Sequence, residues 1–139
     1  MSDTIDRAVD VLAGRTIALL TGAGISTDSG IPDYRGQGAP RRNPMTGQQF
    51  LADEAARRRY WIGSHLGWRS FSKASPNAGH RAAAALEAAG VVTGVVTQNV
   101  DGLHLRAGSS RVVDLHGSMN RVSCVRCGQT YARADISVT

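Results

Sequence analysis

Four apolar residues in a row, Ile17 to Leu20, meet Thr21 and then the stretch G-A-G-I-S-T-D-S-G-I-P-D-Y-R from Gly22 to Arg35. No other feature limits the fold of this chain as much. An apolar run without polar alternation suits a strand of a parallel sheet covered on both faces. Small residues at Gly22, Ala23 and Gly24 let the backbone approach a ligand closely. A helix opening after such a turn points free amides at an anion, typically a phosphate. By itself the turn is a weak dinucleotide signal, because Thr27 stands where G-x-G-x-x-G has its third glycine. A tight strand-to-helix turn with no ligand is the alternative.

The rest of the chain reads as further pieces of one α/β layer. Ile5, Ala8, Val9 and Leu12 fall at helical spacing between Asp3 and Ala13, and Gly14 stops that helix before a strand over 16–21. After Arg35 the segment G-Q-G-A-P-R-R-N-P-M-T-G has loop composition, and a loop of this length is commonly functional. Residues 48–68 read as mostly helical. Asn77 precedes a helix over 78–89 closed by Gly90, a buried strand follows at 91–97, and another at 111–115 leads into His116. Residues 120–131 read as the opening hairpin of a zinc ribbon. The fold class expected is a doubly wound parallel sheet, Rossmann-like but incomplete, with the start of a small zinc-ribbon module. The boundary is expected at 118/119, with a loop at 31–47 and a helical insert at 48–75 inside the first unit.

Composition narrows the function classes. With 139 residues, 42% hydrophobic and 19% charged, the chain fits one soluble globular domain. No apolar run approaches the roughly 20 residues needed to span a bilayer. The start, M-S-D-T-I-D-R, lacks the apolar core of an export signal, so the expected setting is cytoplasmic, without a membrane partner. The net charge of +5 comes from arginine, Lys73 being the single lysine. Arg41-Arg42 and Arg57-Arg58-Arg59 have no interleaved aromatics of the kind single-strand binders use, so nucleic acid is not the expected partner. Cys124 and Cys127 are the only cysteines. At C-x-x-C spacing they make half of a four-ligand zinc site.

Three further motifs carry chemistry: T-Q-N-V-D-G-L-H from Thr97 to His104, L-H-G-S from Leu115 to Ser118, and C-V-R-C from Cys124 to Cys127. Gln98, Asn99, Val100 and Asp101 follow a buried strand, the end at which open α/β sheets bind ligands. An isolated Asn or Asp there is commonly a turn residue. His116 closing a strand could equally be a satisfied core histidine. Taken with the glycine turn, in this order, the motifs resemble those of the sirtuins, the Sir2-like NAD-dependent protein deacylases, over roughly Thr16 to Cys127. The run from Trp61 to Trp68, P-N-x-x-H at Pro76 to His80, and G-I-P-D-Y-R look most like the class II branch.

The resemblance implies roles. Gly22, Ala23 and Gly24 would cradle the NAD pyrophosphate. Ile31, Asp33, Tyr34 and Arg35 would belong to the cofactor-binding loop, with Tyr34 in place of the usual Phe beside the reacting ribose. Gln98 and Asn99 would contact that ribose, Val100 would line the site, and Asp101 would hold the nicotinamide carboxamide. His116 would be the catalytic base, an imidazole being able to take a proton near neutral pH. Asn99 and Asp101 complete the catalytic set. His104 would organise the site or touch ligand, while His65 and His80 read as structural. Cys124 and Cys127 would hold a structural zinc with two cysteines this sequence lacks. The reaction implied moves an acyl group from a protein lysine to ADP-ribose and releases nicotinamide. ADP-ribosyl transfer or a lipoamidase-type activity is the alternative within that branch, and a non-catalytic zinc-ribbon module the alternative outside it. Tyr60 matches the Tyr of a Tyr-x-x-Arg pair that binds acidic acyl groups in another branch, but Gly63 replaces its Arg. The chain reads as an N-terminal fragment, weak or inactive alone.

Overall fold

The computed structural model describes residues 2–33 and 43–136. Tyr34 and Arg35, with much of the 31–47 loop, lie outside the described residues. The chain opens with helix α1 (Ser2–Leu12), ended by Gly14 at φ 70°. Its apolar positions are spaced as expected but exposed: Ile5 is 60% and Val9 59% accessible. Strand β1 (Ile17–Thr21) runs into a 3-10 helix over Ala23–Ser29, shorter and tighter than the helix the glycine turn predicts.

Helices α2 (Gly47–Ala52) and α3 (Glu54–Phe71) occupy the region expected to be helical, with a break at Asp53. Asp53 is extended and its carboxylate accepts the amides of Ala55 (3.0 Å) and Ala56 (3.2 Å), so it starts a new helix. Thr46 caps α2 in the same way through a reciprocal box with Gln49. Then come α4 (Ala78–Ala88), β2 (Val92–Thr97), the single turn α5 (Leu103–Arg106) and β3 (Val112–Asp114). A hairpin of β4 (Arg121–Ser123) and β5 (Thr130–Ala132), then α6 (Arg133–Ile136), ends the described chain.

The first three strands form a parallel sheet in the order β1-β2-β3, with Leu19 beside Val95 and Val95 beside Val112. Helix α4 packs on β2, on the face where Val95 is 1% accessible. Its Glu87 reaches the start of β3, accepting the Ser110 hydroxyl (2.8 Å) and the Arg111 amide (2.9 Å). Side chains alternate across a strand, so Leu20, Val96 and Val113 share the opposite face. Among the described residues that face is not covered: Leu20 is 68% and Val113 55% accessible. The sheet expected to be covered on both faces is thus covered on one among the described residues. Its β-strand C-terminal ends, at Thr21, Thr97 and Asp114, lie side by side and hold the candidate site.

Candidate active site

At those strand ends a cavity of about 250 Å³ is lined by the glycine turn, the segment after β2 and the turn after β3. Seven of the residues singled out in the sequence meet there: Ala23, Ile31, Gln98, Asn99, Val100, Asp101 and His116. Ser26 and Phe71 complete the lining. Gly22 and Gly24 flank the cavity rather than line it. A Cβ built on either meets nothing within 4 Å, so the turn faces open space that a ligand's phosphates could enter. Asp33 is half-buried and outside the lining.

A buried hydroxyl organises the polar floor. Ser26 Oγ donates to Asp101 Oδ2 at 2.7 Å and accepts from Asn99 Nδ2 at 3.0 Å. Asn99 also donates to the Gly22 carbonyl at 3.2 Å, which ties the strand end to the glycine turn. The other carboxylate oxygen of Asp101 accepts the Leu103 amide at 2.9 Å. Behind Ser26 stands His80, fully buried, with Nε2 3.4 Å from the hydroxyl. Its Nδ1 accepts the Asn77 amide at 3.4 Å, which leaves Nε2 to carry the ring proton and donate to Ser26. The chain of donors therefore runs Asn77, His80, Ser26, Asp101 in one direction.

Burial pushes the His80 imidazole below its ordinary value, Asp101 opposing and Arg81 adding to the effect. His104 is lowered as well, by burial first and by His80 second, against Asp101 and Asp114. The two rings pack edge to face at 4.9 Å, and His104 Nε2 lies 3.0 Å from Thr21 Oγ1. Two uncharged imidazoles can stand this close in a dry site where two cations could not. His104 is thus a support behind the cavity, not part of its lining. His116 differs from both. It is exposed, and the Met119 amide, bonded to the Val100 carbonyl at 2.8 Å, holds its turn against the floor.

Sequence reading passed over Ser26 and took His80 as structural only. Asn77-x-x-His80 is a capping box, with Asn77 Oδ1 accepting the amides of Gly79 and His80. A histidine at that third position, on a helix aimed at a glycine turn, is the signal that could have placed it. Asn77 also donates to the Ile25 carbonyl at 2.7 Å and to Ser29 Oγ at 3.0 Å. That clamps α4 onto the 3-10 helix.

Cys124 and Cys127 sit apart from this cavity, in the turn of the β4–β5 hairpin. The Gly128 amide donates to the Cys124 carbonyl at 2.9 Å. The amides of Cys127 and Arg126, then the Cys127 thiol, pull the Cys124 thiol below its ordinary value. Amides aimed at sulfur suit one thiolate pair of a tetrahedral metal site. Among the described residues no group of three or more His, Cys, Asp or Glu gathers to complete one.

Known proteins resemble this chain in sequence and in fold. The chain is 64% identical over 129 residues to NAD-dependent protein deacetylase 1 of Mycobacterium avium (strain 104), a match covering 93% of the chain and 46% of that protein. It is 57% identical to NAD-dependent protein deacetylase 1 of Streptomyces coelicolor, over 92% of the chain and 44% of the relative. The chain thus spans about half the length of these relatives. A solved Sir2 complex with a p53 peptide and NAD+ superposes with a TM-score of 0.81 at 38% identity, covering 94% of this chain and 53% of that one. The family model described as the Sir2 family matches residues 22–138. The chain belongs to the Sir2 family.

Proposed function

We propose that this sequence supplies the nicotinamide-ribose half of an NAD-dependent protein-lysine deacylase, whose activity resides in a polypeptide longer than these 139 residues. The observation that carries the reading is the single cavity in which Asn99, Asp101 and His116 meet beside an open glycine turn. NAD, when bound, would supply the ribose whose hydroxyl oxygen receives the acyl group and the nicotinamide that leaves from that ribose. This chain's own groups would hold the part of NAD around the reacting ribose. Gly22, Ala23 and Gly24 receive the pyrophosphate on backbone amides. Asp101, held ready by Ser26 and the Leu103 amide, accepts the N–H groups of the carboxamide. Asn99 and Gln98 orient the ribose, and Ile31 and Val100 shield it from water. His116, free to reach solvent and substrate, takes the proton of a ribose hydroxyl. Asp33, Tyr34 and Arg35 belong to the cofactor shell on this reading. Fixing the reactants in this geometry is the main source of rate.

Residues 1–118 would form the nucleotide unit and 119–139 the opening of a zinc module. The Cys124–Cys127 turn would supply two thiolates that pin the module in place, with two further ligands from elsewhere. Acylated lysines on proteins are the substrates proposed. Incubating the chain with NAD and an acetyl-lysine peptide should release nicotinamide only at the uncatalysed background, and robust release would contradict the half-site reading. Titrating NAD into isotope-labelled chain should shift the resonances of Asn99, Asp101 and His116 together. Shifts confined to other residues would remove the assignment.

A further inference from the structure

Glu87 stands in the last turn of α4, where a carboxylate faces the negative end of the helix dipole. Its side chain is 5% accessible, so water does little to offset that cost. What holds it is the segment entering β3. The Arg111 amide donates to Oε1 at 2.9 Å and the Ser110 amide to Oε2 at 3.2 Å. The Ser110 hydroxyl donates to Oε1 at 2.8 Å, and Arg111 Nε lies 3.4 Å from the same oxygen. Two consecutive backbone amides and two side chains converge on one buried carboxylate.

Arg111 is gripped from the other side as well. Its carbonyl accepts the Val95 amide at 2.8 Å. Gly94 leaves room for that approach, since a Cβ there would stand 3.0 Å from the same carbonyl oxygen. Strand β3 then runs only from Val112 to Asp114, and the Leu115 amide ties its far end to the Thr97 carbonyl at 2.9 Å. Side-chain pattern does little to fix the register of so short a strand. A slip by one residue puts Val113 where Val112 sits, and Asp114 at the 55% accessible place of Val113, which burial scarcely opposes. It would also carry His116, five positions beyond Arg111, about 3.3 Å along the strand and turn alternate side chains to the other face.

We infer that Glu87 is a positioning residue for His116: it fixes the entry and register of β3, and so the place of the imidazole at the strand's other end. The inference rests on the reading of His116 as the base, but its test needs neither NAD nor turnover. Amide exchange in the isotope-labelled chain compares two amides at the same end of the sheet. Leu115 ties β3 to β2, and Gln98, donating to the Thr21 carbonyl at 3.0 Å, ties β2 to β1. Glu87→Gln should speed exchange at Leu115 about tenfold, change Gln98 by less than about twofold, and move the His116 ring resonances. A general loss of stability would speed both amides alike. Ser110→Ala removes only the hydroxyl contact, at an exposed position, and should act in the same direction by less. It carries the comparison if Glu87→Gln does not fold. In the unaltered chain, acid titration should move the Arg111, Leu115 and His116 amides with one shared midpoint below 4.5 and leave Gln98 still. Equal acceleration at Leu115 and Gln98, His116 resonances unmoved in both variants, or Arg111 titrating without Leu115 and His116 would each overturn the assignment. Should NAD leave His116 unmoved while these responses hold, the base assignment fails and the grip of Glu87 on β3 remains.

Discussion

Replacing Ser26 by Ala tests the whole floor of the candidate site at once. The side chain is 1% accessible, so the variant removes one buried oxygen with little change in shape. That oxygen has three contacts: Asp101 at 2.7 Å, Asn99 at 3.0 Å and His80 at 3.4 Å. A hydrogen bond to a charged group is worth about 1.5–3 kcal/mol net and a neutral one about 0.5–1.5 kcal/mol. Asn99 keeps the Gly22 carbonyl, so its loss is the smallest. The expected cost is about 3 kcal/mol, most of it from the Asp101 oxygen. With a urea slope of roughly 2 kcal/mol per molar, the unfolding midpoint should fall by about 1.5 M. Ser109→Ala is the matched control. Ser109 is 4% accessible and its hydroxyl has no hydrogen-bond partner, so its removal should change stability by less than about 0.5 kcal/mol. A Ser26→Ala loss no larger than that of Ser109→Ala would refute the claim that this hydroxyl organises the floor.

Other consequences are as direct. His80 and His104 both sit below the ordinary imidazole value of 6.5, through burial. The unfolded chain therefore takes up their protons first, and stability should decline as pH falls through about 6.5 toward the folded values. Nuclear magnetic resonance titration should give both rings midpoints under 6.5, and a midpoint above it for either would contradict a neutral pair. Glu87 is held below its ordinary value by the Ser110 hydroxyl first and by the Arg111 and Ser110 amides against burial. Its contribution is present above the ordinary value of 4.5 and lost as pH falls through the folded value, so Glu87→Gln should flatten the acid limb of a urea-midpoint profile. Gly102 adopts φ 70°, and a Cβ there would come within 2.7 Å of Asn120 Nδ2. Gly102→Ala should cost about 1–2 kcal/mol through its left-handed backbone, since Asn120 can swing aside; an unchanged urea midpoint would show the turn is not held.

The sheet and the edge that holds the candidate site were legible because both are written in contiguous residues. Apolar runs at 17–20 and 91–97 mark strands, and the polar residues that follow them fall where strands end. His80 was illegible for the opposite reason. Its neighbours Ser26 and Asp101 are 54 and 21 positions away in sequence, so the one signal near it in the chain is its place in the Asn77 capping box. Asp53 was also missed, because the apolar spacing of Phe50, Leu51 and Ala55 runs on across it while its side chain captures the next amides and restarts the helix. Helix α1 shows the limit of periodicity. A regular stripe predicts that a helix forms, but not that a partner for it exists among the described residues, and Ile5 and Val9 remain exposed.

The division of labour among the four histidines follows from burial rather than from residue type. His80 and His104 are enclosed, and their burial outweighs the opposing carboxylates and lowers both imidazoles. Neutral rings can pass a fixed direction of hydrogen bonding to Ser26 without adding a positive charge beside Asp101. The carboxylate is then held by one hydroxyl and one amide, and Asp101 lines the cavity. On the proposed reading, a ring that accepts a proton from substrate needs the reverse condition, contact with solvent, and among the described lining residues of the cavity His116 is the one imidazole and is exposed. On that reading, moving the base to another position would require exchanging these environments and not merely the residues.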